Sequence, residues 1–233
     1  MQSAPPLRPI DYAESRLVTA IVAGIFAPGS TLPAERELAA QIGVTRPTLR
    51  EALRRLESDG WISIHQGKPT RVNDFWWEGG LKVLNGIVQH SQALPADFVP
   101  NLLAVRLDLA PSYTRRAVER VPETVITILD ARAKLNSDAR SWAGFDWALQ
   151  RTLAIASGNP VYALILNSFS GFYEKLAQMY FSHEPARLSS GAYYDQLHDA
   201  ALAGDGELAE DCTRQIMRES IRLWRQIVQP VEG

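Results

Sequence analysis

At Gly60 the spacing of the apolar side chains changes period, and this switch restricts the fold of the N-terminal third more than any other feature. Ahead of it, apolar residues recur at the spacing of one helix face. Asp11 is placed to cap a first helix reaching about Gly24, with Ala13, Leu17, Ala20, Ile21 and Gly24 on one stripe. Ala27-Pro28-Gly29-Ser30 reads as a turn. Pro33 opens a second helix, Ala34 to Ile42, with Gly43 as its stop. Thr45 is a good N-cap for a third, Arg46 to Asp59, whose stripe is Leu49, Ala52, Leu53 and Leu56 and whose first turn tolerates Pro47. Beyond Gly60 the period becomes that of strands. Trp61–Ile64 and Thr70–Val72 form a hairpin around His65-Gln66-Gly67-Lys68-Pro69. Three helices and a hairpin predict a winged helix-turn-helix over residues 1–72, with Met1–Pro9 as a disordered arm.

Residues 73–80 read as a linker, held packed by Phe75, Trp76 and Trp77. Residues 81–233 show helical stripes and no strand pair, so the chain is mainly α and this part an all-helical bundle. Breaks at Leu94-Pro95, Val121-Pro122, Asn136-Ser137-Asp138, Gly158-Asn159-Pro160, His183-Glu184-Pro185 and Gly204-Asp205-Gly206 give roughly six or seven helices. Cys212 is the single cysteine, which excludes an internal disulfide or a zinc ribbon and fits a cytoplasmic setting. No apolar run approaches the ~18 residues that span a bilayer, so no membrane partner is expected.

The formal net charge is −2, which excludes a uniformly basic nucleic-acid coat. Its distribution is uneven. Residues 46–71 hold Arg46, Arg50, Arg54, Arg55, Lys68 and Arg71 against only Glu51, Glu57 and Asp59. Arg46, Arg50 and Arg54 are spaced i, i+4, i+8, opposite the leucine stripe. A helix buried through leucine and lined with arginine on its other face fits a DNA major groove, where arginine binds guanine edges or phosphate. Thr45 and Thr48 at its N-terminus suit phosphate. Gln66-Gly67-Lys68 at the wing tip suits a minor groove.

Four segments carry a family resemblance: Leu32-Pro33-Ala34-Glu35-Arg36-Glu37-Leu38-Ala39, Gly43-Val44-Thr45-Arg46, Leu49-Arg50-Glu51-Ala52-Leu53, and Leu56-Glu57-Ser58-Asp59-Gly60-Trp61-Ile62. They resemble the GntR family of bacterial transcription factors. The resemblance implies a homodimer whose paired recognition helices read the half-sites of a double-stranded operator. In it Arg36, Arg46 and Arg50 read bases or phosphates beside Thr45 and Thr48, and the wing residues His65, Gln66, Gly67 and Lys68 lie at the minor groove. Pro47 stands where the resembled regulators carry a threonine.

Residues 64–82, Asn101–Arg106 and Ala156–Tyr162 extend the likeness to the acyl-CoA-responsive branch of the family that controls fatty acid metabolism. This implies a tunnel in residues 81–233 for a long-chain fatty acyl-CoA effector, lined by Leu102, Tyr173, Tyr180, Glu219, Ser220 and Trp224, with Arg106 facing the CoA phosphates. The alternative for Arg106 is an internal salt bridge with an acid such as Asp146. Met217 and Ile221 replace glycines of the resembled regulators, and their bulk would shorten or reroute the tunnel. Effector binding would release the operator, with repression of fatty acid degradation genes and activation of synthesis genes.

Two other readings can be set beside this one. Many GntR regulators sense a small organic acid through a metal held by one Asp and three His. Here Asp146 matches the acid, but Gln150 and Tyr194 stand where histidines are required and none follows His198, so no metal is expected. An acyl-CoA-processing enzyme would need an activated nucleophile. No Gly-x-Ser-x-Gly elbow is present, and Cys212 sits on an apolar stripe, so neither an enzyme nor a cofactor is expected.

Overall fold

The computed structural model describes residues 7–91 and 94–228. They fall into two compact units, Met1–Leu94 and Pro95–Gly233. Of the expected N-terminal arm, residues 1–6 lie outside the described residues.

The first unit contains α1 (Pro9–Val22), α2 (Glu35–Ile42), α3 (Arg46–Asp59), β1 (Ile62–Ser63), β2 (Arg71–Val72) and α4 (Leu81–His90). Asp11 does not cap α1. The helix begins two residues earlier, because Pro9 presets the helical φ, and Asp11 instead accepts from Arg8 at 2.8 Å inside the first turn. α3 has the expected bounds. Thr45 caps its start, accepting from Thr48 N at 3.4 Å, and Gly60 ends it at φ +92°, a conformation that suits only glycine well. The strands are shorter than expected and antiparallel, with Ile62 opposite Val72 and Ser63 opposite Arg71. The segment before α2 joins their edge, with Leu32 N bonded to Thr70 O and Val72 N to Ser30 O.

In residues 73–80, Phe75 packs against Trp61 with ring centroids 5.2 Å apart, but Trp77 is 87% exposed. The expectation of three packed aromatics therefore holds for one of them in full. α4 packs on α1 through buried Val83, Ile87 and Val88, and so sits in the first compact unit, beyond the residue-72 boundary expected for it. Gly86 permits the approach, since a Cβ there would stand 2.4 Å from the indole of Trp61.

The second unit holds α5 (Phe98–Arg120), α6 (Pro122–Asp130), a 3-10 turn (Ala131–Lys134), α7 (Ala139–Ala156), α8 (Pro160–Asn167), α9 (Ser170–Phe181), α10 (Glu184–Ala203) and α11 (Gly206–Val228). Among the described residues, eight α-helices therefore follow Gly80, one more than the upper expectation. The added break is at Ser168-Phe169, inside the stripe Tyr162/Ile165/Leu166/Phe169/Tyr173. The Ser168 hydroxyl donates to Leu164 O at 3.1 Å, and its N–H is shared between Leu164 O and Ile165 O. That local bonding tightens the turn and redirects the chain with no glycine or proline to mark it. α5 packs along α11, and buried Tyr113, Leu149, Leu153, Tyr194 and Leu197 fill the interior around them.

Candidate functional site

The first unit presents a basic face. Arg46, Arg50 and Arg54 are exposed on the side of α3 opposite buried Leu49, Leu53 and Leu56, and Arg36 is exposed on α2. Thr45 Oγ1 lies 2.9 Å from Thr48 Oγ1, so both hydroxyls stand at the positive end of the α3 dipole. His65, Gln66, Gly67 and Lys68 are exposed at the wing tip, where Gly67 turns the chain at φ +72°. The sequence pattern brings all of these to solvent, but it does not reveal their partners. Arg50 Nε is 2.6 Å from Glu35 Oε2 of α2, Arg71 is 3.6 Å from Glu78, and Arg55 pairs with Asp11 and Glu14. Among the described residues, Arg36, Arg46, Arg54 and Lys68 make no ion pair, so the unneutralised charge of this face lies on α2, along α3 and at the wing.

In the second unit, α5, α7, α9, α10 and α11 line a partly open cavity of about 80 Å³. α5 contributes Val99, Leu102, Leu103 and Arg106, an i, i+3, i+4, i+7 face. α9 contributes Phe172, Tyr173, Leu176 and Tyr180, and α11 contributes Ile216, Met217, Ser220 and Trp224. Six of the seven expected ligand residues therefore share one cavity. Glu219 is the exception. It is one residue from Ser220 and so turned roughly 100° around α11. Its carboxylate is bonded to Arg222 at 2.5 and 2.8 Å, and that bond holds it below the usual carboxylate range. Met217 lines the cavity and Ile221 does not.

The polar side of the cavity is a network around Arg106 and Asp146. Arg106 Nη2 lies 3.8 Å from Asp146 Oδ2, and its guanidinium sits over the Tyr173 ring, 5.4 Å from the centroid. Asp146 accepts the Tyr173 hydroxyl on Oδ2 and the Tyr194 hydroxyl on Oδ1, the latter at 2.9 Å. Tyr113 donates to Gln150 Oε1 at 2.6 Å, and Tyr180 to Ser220 Oγ at 3.2 Å. Burial pushes the phenols of Tyr113, Tyr173, Tyr193 and Tyr194 up, Tyr113 to about 12, so each stays a donor at neutral pH. Burial opposes the charge of Arg106, but the facing tyrosines and Asp146 outweigh it, and its pKa is raised. Arg106 Nε and Nη2 are sealed from solvent, while the side chain as a whole is 15% exposed. The internal salt bridge with Asp146 is the arrangement present.

Residues 9–72 match the bacterial regulatory proteins of the gntR family, and residues 73–232 match the FadR C-terminal domain. The chain belongs to the GntR family. Its relatives include two named fatty acid metabolism regulator protein. That of Erwinia tasmaniensis is 38% identical over 226 residues, 96% of this chain and 95% of its own length. That of Shewanella pealeana is 45% identical over 194 residues, 83% and 81% of the two chains. The solved structure of Lar, which controls the expression of the Listeria monocytogenes agr system, aligns with a TM-score of 0.66 at 18% identity. It covers 96% of this chain and 98% of its own, and the likeness supports the fold alone.

GntR proteins are DNA-binding transcription regulators, and this regulator is one of them rather than an enzyme. In it, of the residues aligned with the metal-holding pattern, Gln150 and Tyr194 join the polar network and His198 lies apart from it. Gln150 is fully buried against Tyr113, Tyr194 occupies one oxygen of Asp146, and His198 lies 3.1 Å from Asp130. Cys212 is buried, and burial raises its thiol to about 11, which keeps it protonated and unreactive. The sequence reading did not assign Tyr113 or Ser190, which lines the cavity from α10, to the effector site, and weighed Gln150 and Tyr194 only against a metal. Their signal was present as polar groups on otherwise apolar stripes. No described helix is long and apolar enough to cross a membrane.

Proposed function

We propose that this GntR regulator is a cytoplasmic homodimer that binds a near-palindromic operator and is released from it by long-chain fatty acyl-CoA. The regulated process is fatty acid metabolism, with repression of degradation genes and activation of synthesis genes. The effector reading rests above all on the apolar cavity in the FadR C-terminal domain, in which Leu102, Tyr173, Tyr180, Ser220 and Trp224 converge. The names of the relatives at 38% and 45% identity support the same reading.

On the operator, Arg46 and Arg50 bind guanine edges or phosphates in the major groove, with Arg36, Thr45 and Thr48 beside them. Residues 65–68 approach the minor groove. The acyl chain enters the apolar cavity and stabilises a form with lower operator affinity. An operator-bound fluorescent duplex, titrated with palmitoyl-CoA, should lose anisotropy at saturation. Unchanged operator affinity under saturating palmitoyl-CoA would falsify the effector reading.

A further inference from the structure

We propose that the Arg106 side of the cavity recognises one uncharged acceptor oxygen on an otherwise apolar ligand. This deepens the acyl-CoA reading and rests on it. The charges at this side are balanced, since Arg106 faces Asp146 at 3.8 Å. Its hydrogen bonds are not. Arg106 Nε and Nη2 are buried donors with no acceptor. Tyr173 and Tyr194 direct their hydroxyl hydrogens to Asp146 and Tyr113 directs its own to Gln150, and no oxygen accepts from Nε or Nη2. A buried donor without an acceptor is unfavourable, and a ligand oxygen that meets it gains what water supplies elsewhere.

The balance of charge selects the kind of oxygen. A carboxylate would place a second anion on a guanidinium that already neutralises Asp146, and like charges sharing one buried cation disfavour each other. A carbonyl or hydroxyl oxygen completes the donors and adds no charge. In an acyl-CoA such an oxygen is either the thioester carbonyl or a substituent on the chain. The remainder of the lining, including Leu102, Phe172, Leu176 and Trp224, asks only for hydrocarbon.

The test compares three ligands on the full chain by isothermal calorimetry: palmitoyl-CoA, S-hexadecyl-CoA, which lacks the carbonyl oxygen, and 3-hydroxypalmitoyl-CoA. If the thioester oxygen is recognised, palmitoyl-CoA binds about tenfold more tightly than the thioether. If a chain oxygen is recognised, the hydroxylated ligand binds about tenfold more tightly than palmitoyl-CoA. The double variant Arg106→Met/Asp146→Asn removes both charges, strands neither, and should bind all three within about twofold. Equal binding of the three ligands by the wild type overturns the proposal and leaves the effector reading standing. It does so whether or not the double variant folds. An oxygen preference that survives in the double variant also overturns it. Failure of the wild type to bind any of the three overturns the effector reading and this inference with it.

Discussion

Arg50 is held by Glu35 across the α2–α3 turn, 2.6 Å apart, with both side chains well exposed. Such a pair contributes little to folding, roughly 0–1 kcal/mol, so it yields readily to a phosphate. The carboxylate nevertheless opposes any anion approaching Arg50. Glu35→Gln should therefore tighten operator binding by about 0.2–1 kcal/mol, whereas Arg46→Ala should weaken it by about 1–3 kcal/mol. Both are read from anisotropy titrations at one fixed salt concentration. Weaker binding by Glu35→Gln would mean that the pair positions the guanidinium rather than competing for it. Arg106 behaves differently because it is inside. Arg106→Ala leaves Asp146 buried without its cation, a change of about 3–5 kcal/mol in stability, so operator and effector binding should fall together with the melting temperature. Trp224→Ala, which shortens an apolar lining side chain, should lower effector affinity with operator affinity intact. A full melting temperature in Arg106→Ala would show that the interior tolerates a lone carboxylate there.

Individual elements were legible in the sequence wherever a local chemical signal ended them. α3 was readable to the residue because Thr45 and Gly60 bracket it, one as a side-chain acceptor and the other as a left-handed backbone. The α8–α9 break was not readable, because Ser168 and Phe169 carry no special backbone preference and the apolar stripe continues through them. α4 illustrates a second limit. Its own stripe of Val83, Ile87 and Val88 specifies a helix but not which neighbour receives it. The deciding contact is Gly86 against Trp61, a pairing distant in sequence. Gly86→Ala tests it by sign. On a free helix surface the change would stabilise by up to about 1 kcal/mol. Against the indole it should destabilise by roughly 1–3 kcal/mol. Thermal or urea unfolding distinguishes the two, and a stabilised variant would place Trp61 elsewhere. The family resemblance named seven residues, and six of them line one cavity. Of its polar side, the Arg106–Asp146 pair was open to sequence reading, but the tyrosines bonded around it were not, since they come from separate helices.

At the scale of the whole molecule, the net charge of −2 is the sum of a head at +1 and a remainder at −3 when the chain is divided after Asp74. On the proposed reading, operator binding depends on a few placed cations, and it should weaken with salt in proportion to their number. On the same reading, release comes from the effector's preference for one form of the protein over another. The cavity volume bears on this. About 80 Å³ is roughly half the volume of an engineered cavity that accepts benzene. On the proposed reading, a long acyl chain fits more fully as the lining helices α5, α9 and α11 separate, and the work of separating them couples binding to a change of form. A short acyl group requires less opening. Butyryl-CoA should accordingly bind weakly and leave the operator complex intact even at saturation, whereas palmitoyl-CoA dissolves it. The reciprocal measurement follows from linkage: the factor by which palmitoyl-CoA lowers operator affinity must equal the factor by which operator lowers palmitoyl-CoA affinity. Release by butyryl-CoA equal to that by palmitoyl-CoA at matched occupancy would show that opening of the cavity is not what transmits the signal.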